Sequence, residues 1–263
     1  MKTVTSKDGT TIAYDQSGHG PVVILVDGAL QYRAFDQGMK ELADVLDPHF
    51  TVIHYDRRGR GDSTDTQPYA LAREIEDIEA IIDQAGGSAF IYGISSGAAL
   101  ALEMAMKLDG KIKKLAMYEA PYNDDPVARQ AWKEYVKQLN ELLAEDRSKE
   151  ALGLFMMLVG APPDQVEAMH EHPMWPMWEA VASTLAYDAA ALGEEGAVPA
   201  ERAARVTVPM LVMDGSASFP FMHVTATALA QAIPDAQHRT LEGQTHEVGA
   251  NALAPVLIEF FSS

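Results

Sequence analysis

A chain of 263 residues with 38 acidic and 20 basic side chains carries a formal charge of −18, a surface that repels nucleic-acid phosphates and anionic lipid headgroups. Its length buries a full core, and 48% hydrophobic with 22% charged residues is the balance of a globular domain, which excludes a disordered or fibrous chain. Cysteine is absent, so there is no disulfide framework, thiol nucleophile or thiolate metal site, as suits a reducing cytosol. The stretch Met1 to Gly9 lacks the apolar core of a secretory signal, and no apolar run reaches the length of a membrane span. A soluble cytoplasmic protein with no nucleic-acid or membrane partner is expected.

In chain order, Thr11 to Gln16 alternates as a strand does and ends in the turn cluster Ser17-Gly18-His19-Gly20-Pro21. Val22 to Val26 is an uninterrupted β-branched and apolar run, suited to a parallel strand buried on both faces. A helix is expected from about Phe35 to Leu46, then a strand over Phe50 to Tyr55, closed by Asp56-Arg57-Arg58-Gly59-Arg60-Gly61-Asp62-Ser63. Isoleucines 75, 78, 81 and 82 mark one face of a helix from Leu71 to Gln84, which Gly86-Gly87 ends. Ala89 to Tyr92 reads as a short buried strand and Gly97 to Leu108 as a helix, with Gly93-Ile94-Ser95-Ser96-Gly97 between them. Strands follow at Lys114 to Tyr118, Val208 to Met213 and Gln237 to Leu241, with helices near Thr225 to Ala232 and Glu247 to Phe261. Alternating strands and helices imply a mostly parallel sheet covered on both faces. Residues 121–205 break that rhythm with helical patterns alone (Val127 to Glu145, Lys149 to Leu158, Pro163 to His170, Glu179 to Tyr187). They are expected to form an all-helical cap inserted into a core built from 1–120 and 206–263.

The Gly-Ile-Ser-Ser-Gly junction has a chemical reading. Reversing the chain within two or three residues forces Ser95 into a strained conformation, and glycines two positions either side remove Cβ atoms that would collide. The hydroxyl then stands at the C-terminal edge of the sheet, facing the free N–H groups and positive dipole end of the next helix. The plain alternative is a Gly-rich strand-to-helix turn. A histidine near the chain end, His246 in Gly243-Gln244-Thr245-His246, favours a nucleophile, although a solvent-exposed helix-cap histidine would look the same.

Together with Asp27-Gly28-Ala29, the Asp56 to Ser63 turn and the Val208 to Gly215 strand, these residues resemble an α/β-hydrolase over nearly the whole chain. The resemblance implies an α/β fold with an eight-strand-type sheet beneath a helical cap, and cofactor-free hydrolysis of an ester, lactone, amide or activated C–C bond. It further implies a triad in the chain order serine, acid, histidine, with oxyanion donors at the backbone N–H groups of Ala29 and Ser96. A serine at the elbow argues against the branches that use aspartate there.

Three positions depart from the family pattern. Asp27 replaces the usual histidine of the oxyanion loop and brings a carboxylate near a site meant for negative charge. Ile94 replaces the usual histidine before the serine. The triad acid of many relatives stands three residues after the glycine ending the seventh strand, which is Ser218 here. Some members carry the acid on the strand after the nucleophile helix, which points to Glu119, with Asp214 as the rival. The catalytic set is therefore expected to be Ser95, Glu119 and His246.

Other motifs have bland readings. Arg60-Gly61-Asp62 spells an integrin tripeptide but fits a structural turn better. His170 and His172, two apart on a helix, diverge by about 200° and cannot chelate together, so no metal site is expected. Pro173 and Pro176 are expected to hold Met174 and Trp175 out of a regular helix, which makes these two the better pocket candidates among the soft apolar residues of the cap. The expected activity is a carboxylesterase-type serine hydrolase on small or medium apolar esters or lactones. A C–C hydrolase or lyase with the same residues, or a catalytically weak ligand-binding homologue, remains the alternative.

Overall fold

The structure, a computed structural model, describes residues 1–108 and 110–263. Eight strands form one sheet in the order β1-β2-β4-β3-β5-β6-β7-β8. They are β1 (Lys2–Thr5), β2 (Thr11–Gly18), β3 (Val22–Val26), β4 (Thr51–Tyr55), β5 (Ala89–Ile94), β6 (Ile112–Tyr118), β7 (Met210–Gly215) and β8 (Ala236–Leu241). β1 and β2 run antiparallel at one edge, and β3 to β8 are parallel to one another.

The alternation along β3 shows why the run is apolar throughout. Val23 and Leu25 point into the layer made with α1 (Gln37–Leu46) and α11 (Ala250–Ser262). Ile24 and Val26 point the other way, toward α2 (Leu71–Gln84), α3 (Ser96–Ala105) and α10 (Pro220–Ala232). Helices on both faces bury the central parallel strands β3, β4, β5 and β7 almost throughout, the condition that such strands need, while the edge strand β8 stays partly exposed.

Between β6 and β7 the chain forms helices only: α4 (Pro126–Ala144), α5 (Ser148–Leu158), α6 (Pro163–Met169), α7 (Trp175–Glu179), a 3₁₀ turn at Ala182–Thr184, α8 (Leu185–Leu192) and α9 (Ala200–Ala203). They share a core of their own around Tyr135, Leu139, Leu152, Trp175, Val181 and Leu185.

Four local differences from the sequence reading have simple causes. β1 is paired as an edge strand although its four residues are mostly exposed and carry no hydrophobic pattern to reveal it. Trp175 lies in the short helix α7 because Pro176 occupies its first turn, where a missing N–H costs nothing. The Glu179 to Tyr187 pattern resolves into the end of α7, the 3₁₀ turn and the start of α8. The last helix begins at Ala250, so His246 stands on the loop before it rather than in its first turn.

Candidate active site

Ser95 joins β5 to α3 with φ 56° and ψ −129°, a backbone conformation an L-residue holds only under constraint. The constraint is local. The Ser95 N–H donates to the Tyr118 carbonyl at 2.9 Å, and its own carbonyl receives the Ala98 N–H at 3.0 Å, the first bond of α3. Glycine is required on both sides. A Cβ on Gly93 would strike the backbone of Gly97 and Ala98, and one on Gly97 would strike the carbonyl oxygens of Val26 and Asp27.

The strand register brings the neighbouring groups level, with Ile94 beside Tyr118 and Tyr118 beside Met213. One residue past β6, Glu119 takes a positive φ of 47° and turns its carboxylate toward the tip of β7. That carboxylate is buried and receives three hydrogen bonds. His246 Nδ1 lies 2.7 Å from Oε2, the Ser218 hydroxyl donates to the same oxygen at 2.8 Å, and the Gly215 N–H donates to Oε1 at 2.8 Å. Ser218, at the position where many relatives carry the acid, thus supports an acid supplied by the adjacent strand.

With Nδ1–H donated to Glu119, the other ring nitrogen of His246 is left as an acceptor. The His246 loop is fixed from two sides: Tyr118 donates its hydroxyl to the Thr245 carbonyl at 2.5 Å, and the Ala217 N–H donates to the Gln244 carbonyl at 2.9 Å. No hydrogen bond joins the Ser95 hydroxyl to His246 among the described residues. Such contacts commonly tighten only when substrate is bound. Asp214 does not approach His246; its carboxylate meets His223, His238 and Thr240.

The Asp27 carboxylate turns away from Ser95. It lies 2.9 and 3.0 Å from His54 Nε2 in a fully buried pair. Burial pulls the His54 imidazole down, but the Asp27 charge outweighs it and the net shift is upward. The Asp27-Gly28-Ala29 loop therefore presents backbone rather than the Asp27 carboxylate to the cavity at Ser95. The N–H groups of Ala29 and Ser96 donate to no protein acceptor among the described residues, and both residues line the cavity at Ser95.

Behind Ser96 lies a network that the sequence reading placed only as a turn. Asp188 on α8 accepts from Arg57 at 2.6 Å, Arg60 at 2.7 Å and the Ser96 hydroxyl at 2.7 Å. Arg57 also holds Glu74 with two bonds, and Arg60 reaches the carbonyl of Gly28. Arg60 is 1% exposed, so the Arg-Gly-Asp tripeptide offers no cationic ligand to a receptor.

Burial pushes the Asp188 carboxyl up, while Arg60, Arg57 and the Ser96 hydroxyl together bring it below its ordinary value. A depressed value means that its stabilising effect is complete above the unfolded value near ~3.9 and is lost as pH falls through the folded one. Asp188→Asn is expected to lower the unfolding free energy by about 3–5 kcal/mol, because two guanidiniums lose a buried charge partner. Urea titrations at neutral pH measure that loss. The same titrations in acid should show the variant less sensitive than wild type to pH below about 4.

Two cavities meet at Ser95. One, of about 420 Å³, runs under α4 and α5 past Trp132, Tyr135, Leu185, Phe221 and Met222. The other, of about 510 Å³, runs past Leu30, Phe35, Met39, Tyr92 and Trp178. Ala29, Ser95, Phe155, Val159 and His246 line both, and neither is lined by lysine or arginine. A wider depression of about 800 Å³ between Asp146–Glu150 and Pro176–Ala180 touches none of these groups.

Met174 and Trp175 line neither of the cavities at Ser95. Trp175 is buried in the core of the helical segment and donates its indole N–H to Glu179 at 3.1 Å. His170 packs edge-on against Trp175 and His172 stacks on Trp178, so those two imidazoles serve packing.

A family model described as the alpha/beta hydrolase family matches residues 19–256. The crystal structure of an alpha/beta hydrolase from Sphaerobacter thermophilus DSM 20745 is 52% identical, covers 99% of this chain and 100% of its own, and superposes with a TM-score of 0.88. The enol-lactonase from Burkholderia xenovorans LB400 shares the fold at 20% identity, with all of both chains covered and a TM-score of 0.74. A zearalenone hydrolase of Cladophialophora bantiana is 22% identical over 230 residues, which are 75% of this chain and 86% of that protein. The strained serine, the eight-strand sheet and a family match over most of the length lead to one assignment: the chain belongs to the alpha/beta hydrolase family.

Proposed function

We propose that the protein is a serine hydrolase that cleaves small or medium apolar carboxylic esters or lactones through an acyl-enzyme on Ser95. The observation that carries the reading is the 2.7 Å contact between His246 and a buried, threefold-bonded Glu119 at the mouth of two apolar cavities that share Ser95. Cavities of this size suit a small-molecule substrate, and the absence of basic lining disfavours an anionic one. The likeness to an enol-lactonase and a zearalenone hydrolase supports keeping lactones, expected from the family resemblance, beside simple esters.

In this reading His246 takes the Ser95 proton as the hydroxyl attacks the carbonyl carbon, and Glu119 holds the ring and stabilises its charged form. The N–H groups of Ala29 and Ser96 receive the oxyanion of the tetrahedral intermediate. His246 then protonates the leaving alcohol, and water repeats the sequence to release the acid. Residues 121–205 act as the cap, with the acyl and alcohol parts divided between the two cavities. No cofactor or metal takes part in these steps.

The test is labelling of Ser95 by a fluorophosphonate, together with burst release of p-nitrophenol from short-chain esters and a lactone panel. Labelling with a burst supports the reading, and an unlabelled, burst-free protein overturns it. Phe155 lies between the two cavities, so Phe155→Ala is expected to change the ranking of acyl chain lengths. Trp175→Ala should keep the ranking and cost about 3–5 kcal/mol of stability, as truncation of a buried indole does. Kinetics on an ester series and denaturant unfolding of both variants check the contrast.

A further inference from the structure

Asp214 is a buried acid that the catalytic reading leaves over, and it alone among the described residues gathers two histidines. Buried Asp56, Glu74, Asp77 and Asp188 each face an arginine. Asp214, with a side chain 1% exposed, faces two imidazoles and a hydroxyl. His223 Nδ1 lies 3.0 Å from one carboxylate oxygen, and His238 Nε2 lies 2.6 Å from the other. The Thr240 hydroxyl donates to that second oxygen at 3.1 Å.

We propose that Asp214, His223 and His238 form a three-ligand site for a borderline divalent cation of the Zn²⁺ or Co²⁺ class. The ligand atoms come from three elements, β7, α10 and β8, and all lie within 4.8 Å of one another. Adjacent-strand pairing places them: Asp214 is opposite Thr240, and His238 is two residues away on the same face of β8. A tetrahedral ion with bonds of about 2.0–2.2 Å separates its ligand atoms by about 3.3–3.6 Å. The present 3.0 and 2.6 Å separations are those of hydrogen bonds, so a bound ion requires the His223 and His238 side chains, 58% and 25% exposed, to turn outward from the strand-held carboxylate. Two imidazole nitrogens and one carboxylate oxygen suit Zn²⁺ or Co²⁺, whereas Ca²⁺ and Mg²⁺ prefer a shell of oxygens. Water completes the coordination from the open side. None of the three residues lines a cavity at Ser95, so the site is separate from the hydrolytic one.

The ion would fasten the end of β7 to α10 and β8, beside the Gly215 N–H that supports Glu119. Calorimetric titration of the chelator-treated full-length protein with Zn²⁺ tests the site, with visible absorption of the Co²⁺ form as the second readout. One saturable equivalent per chain is expected, with His223→Gln and His238→Gln each weakening it at least about tenfold. The double variant should lose that equivalent, and Zn²⁺ should raise the Tm of the wild type only. Both rings are on the surface, so the variants are expected to fold, which far-ultraviolet circular dichroism verifies. A wild-type chain that binds no Zn²⁺, or an equivalent that survives in the folded double variant, overturns the assignment.

Discussion

Ser95→Ala is expected to lower kcat on the order of 10⁶-fold and to abolish fluorophosphonate labelling, as removal of the nucleophile does in serine hydrolases generally. The variant should stay folded. The strained backbone at Ser95 is held by the Tyr118 carbonyl, the first turn of α3 and the two glycines, none of which the hydroxyl touches. Alanine keeps the Cβ, so the elbow loses one oxygen and nothing else. Ester turnover, labelling and circular dichroism on the same preparation measure the three outcomes. Turnover within about tenfold of wild type would remove Ser95 from the mechanism.

Glu119→Gln is expected to cut kcat by about 10²–10⁴-fold with little change in the fold. The two side chains have the same shape, but three donors converge on this carboxylate. An amide has only one acceptor oxygen, and its NH₂ group forces the partner ring nitrogen to accept. His246 would then carry its proton on Nε2, the nitrogen that must take the serine proton. Asp214→Asn should stay within about tenfold of wild type, since His223, His238 and Thr240 are its partners and none reaches Ser95. Ser218→Ala removes one of the three donors and should fall between these effects. Steady-state kinetics on a single ester rank the three variants; larger damage from Asp214→Asn than from Glu119→Gln would transfer the acid's role.

The layers of the fold were legible because the strands are buried on both faces. Val22 to Val26 and Ala89 to Tyr92 have no place except inside a parallel sheet, and Gly93 and Gly97 mark a turn that tolerates no side chain. Glu119 was reached only through the family resemblance, with Asp214 as the rival; the structure puts the end of β6 between β5 and β7 and the Glu119 carboxylate 2.7 Å from His246. What stayed hidden depends on side chains that meet across long separations. Asp188 looks like any surface acid of a helix until Arg57 and Arg60 arrive from 131 and 128 residues away. His223 and His238 stand on different elements, so no spacing rule announces them, whereas the conspicuous His170 and His172 pack against tryptophans. Trp175 shows the limit of reading prolines as helix breakers, because Pro176 sits in the first turn where a helix accepts it.

The Asp188 junction also decides how a substrate gets in. α8 is tied to the sheet by two buried guanidiniums and to the elbow helix by the Ser96 hydroxyl, so swinging it outward as a door would strand all three. At about 3–5 kcal/mol for a broken buried pair, such an excursion would be populated only about one part in 10²–10⁴. A path to Ser95 that leaves α8 in place runs past smaller groups. Leu158, Val159 and Phe219 are exposed apolar residues, and all three line the cavity under α4 and α5. Rotamer changes there are faster than the displacement of a helix. With α8 held, side chains that step aside at this rim open a way to the serine without moving that helix.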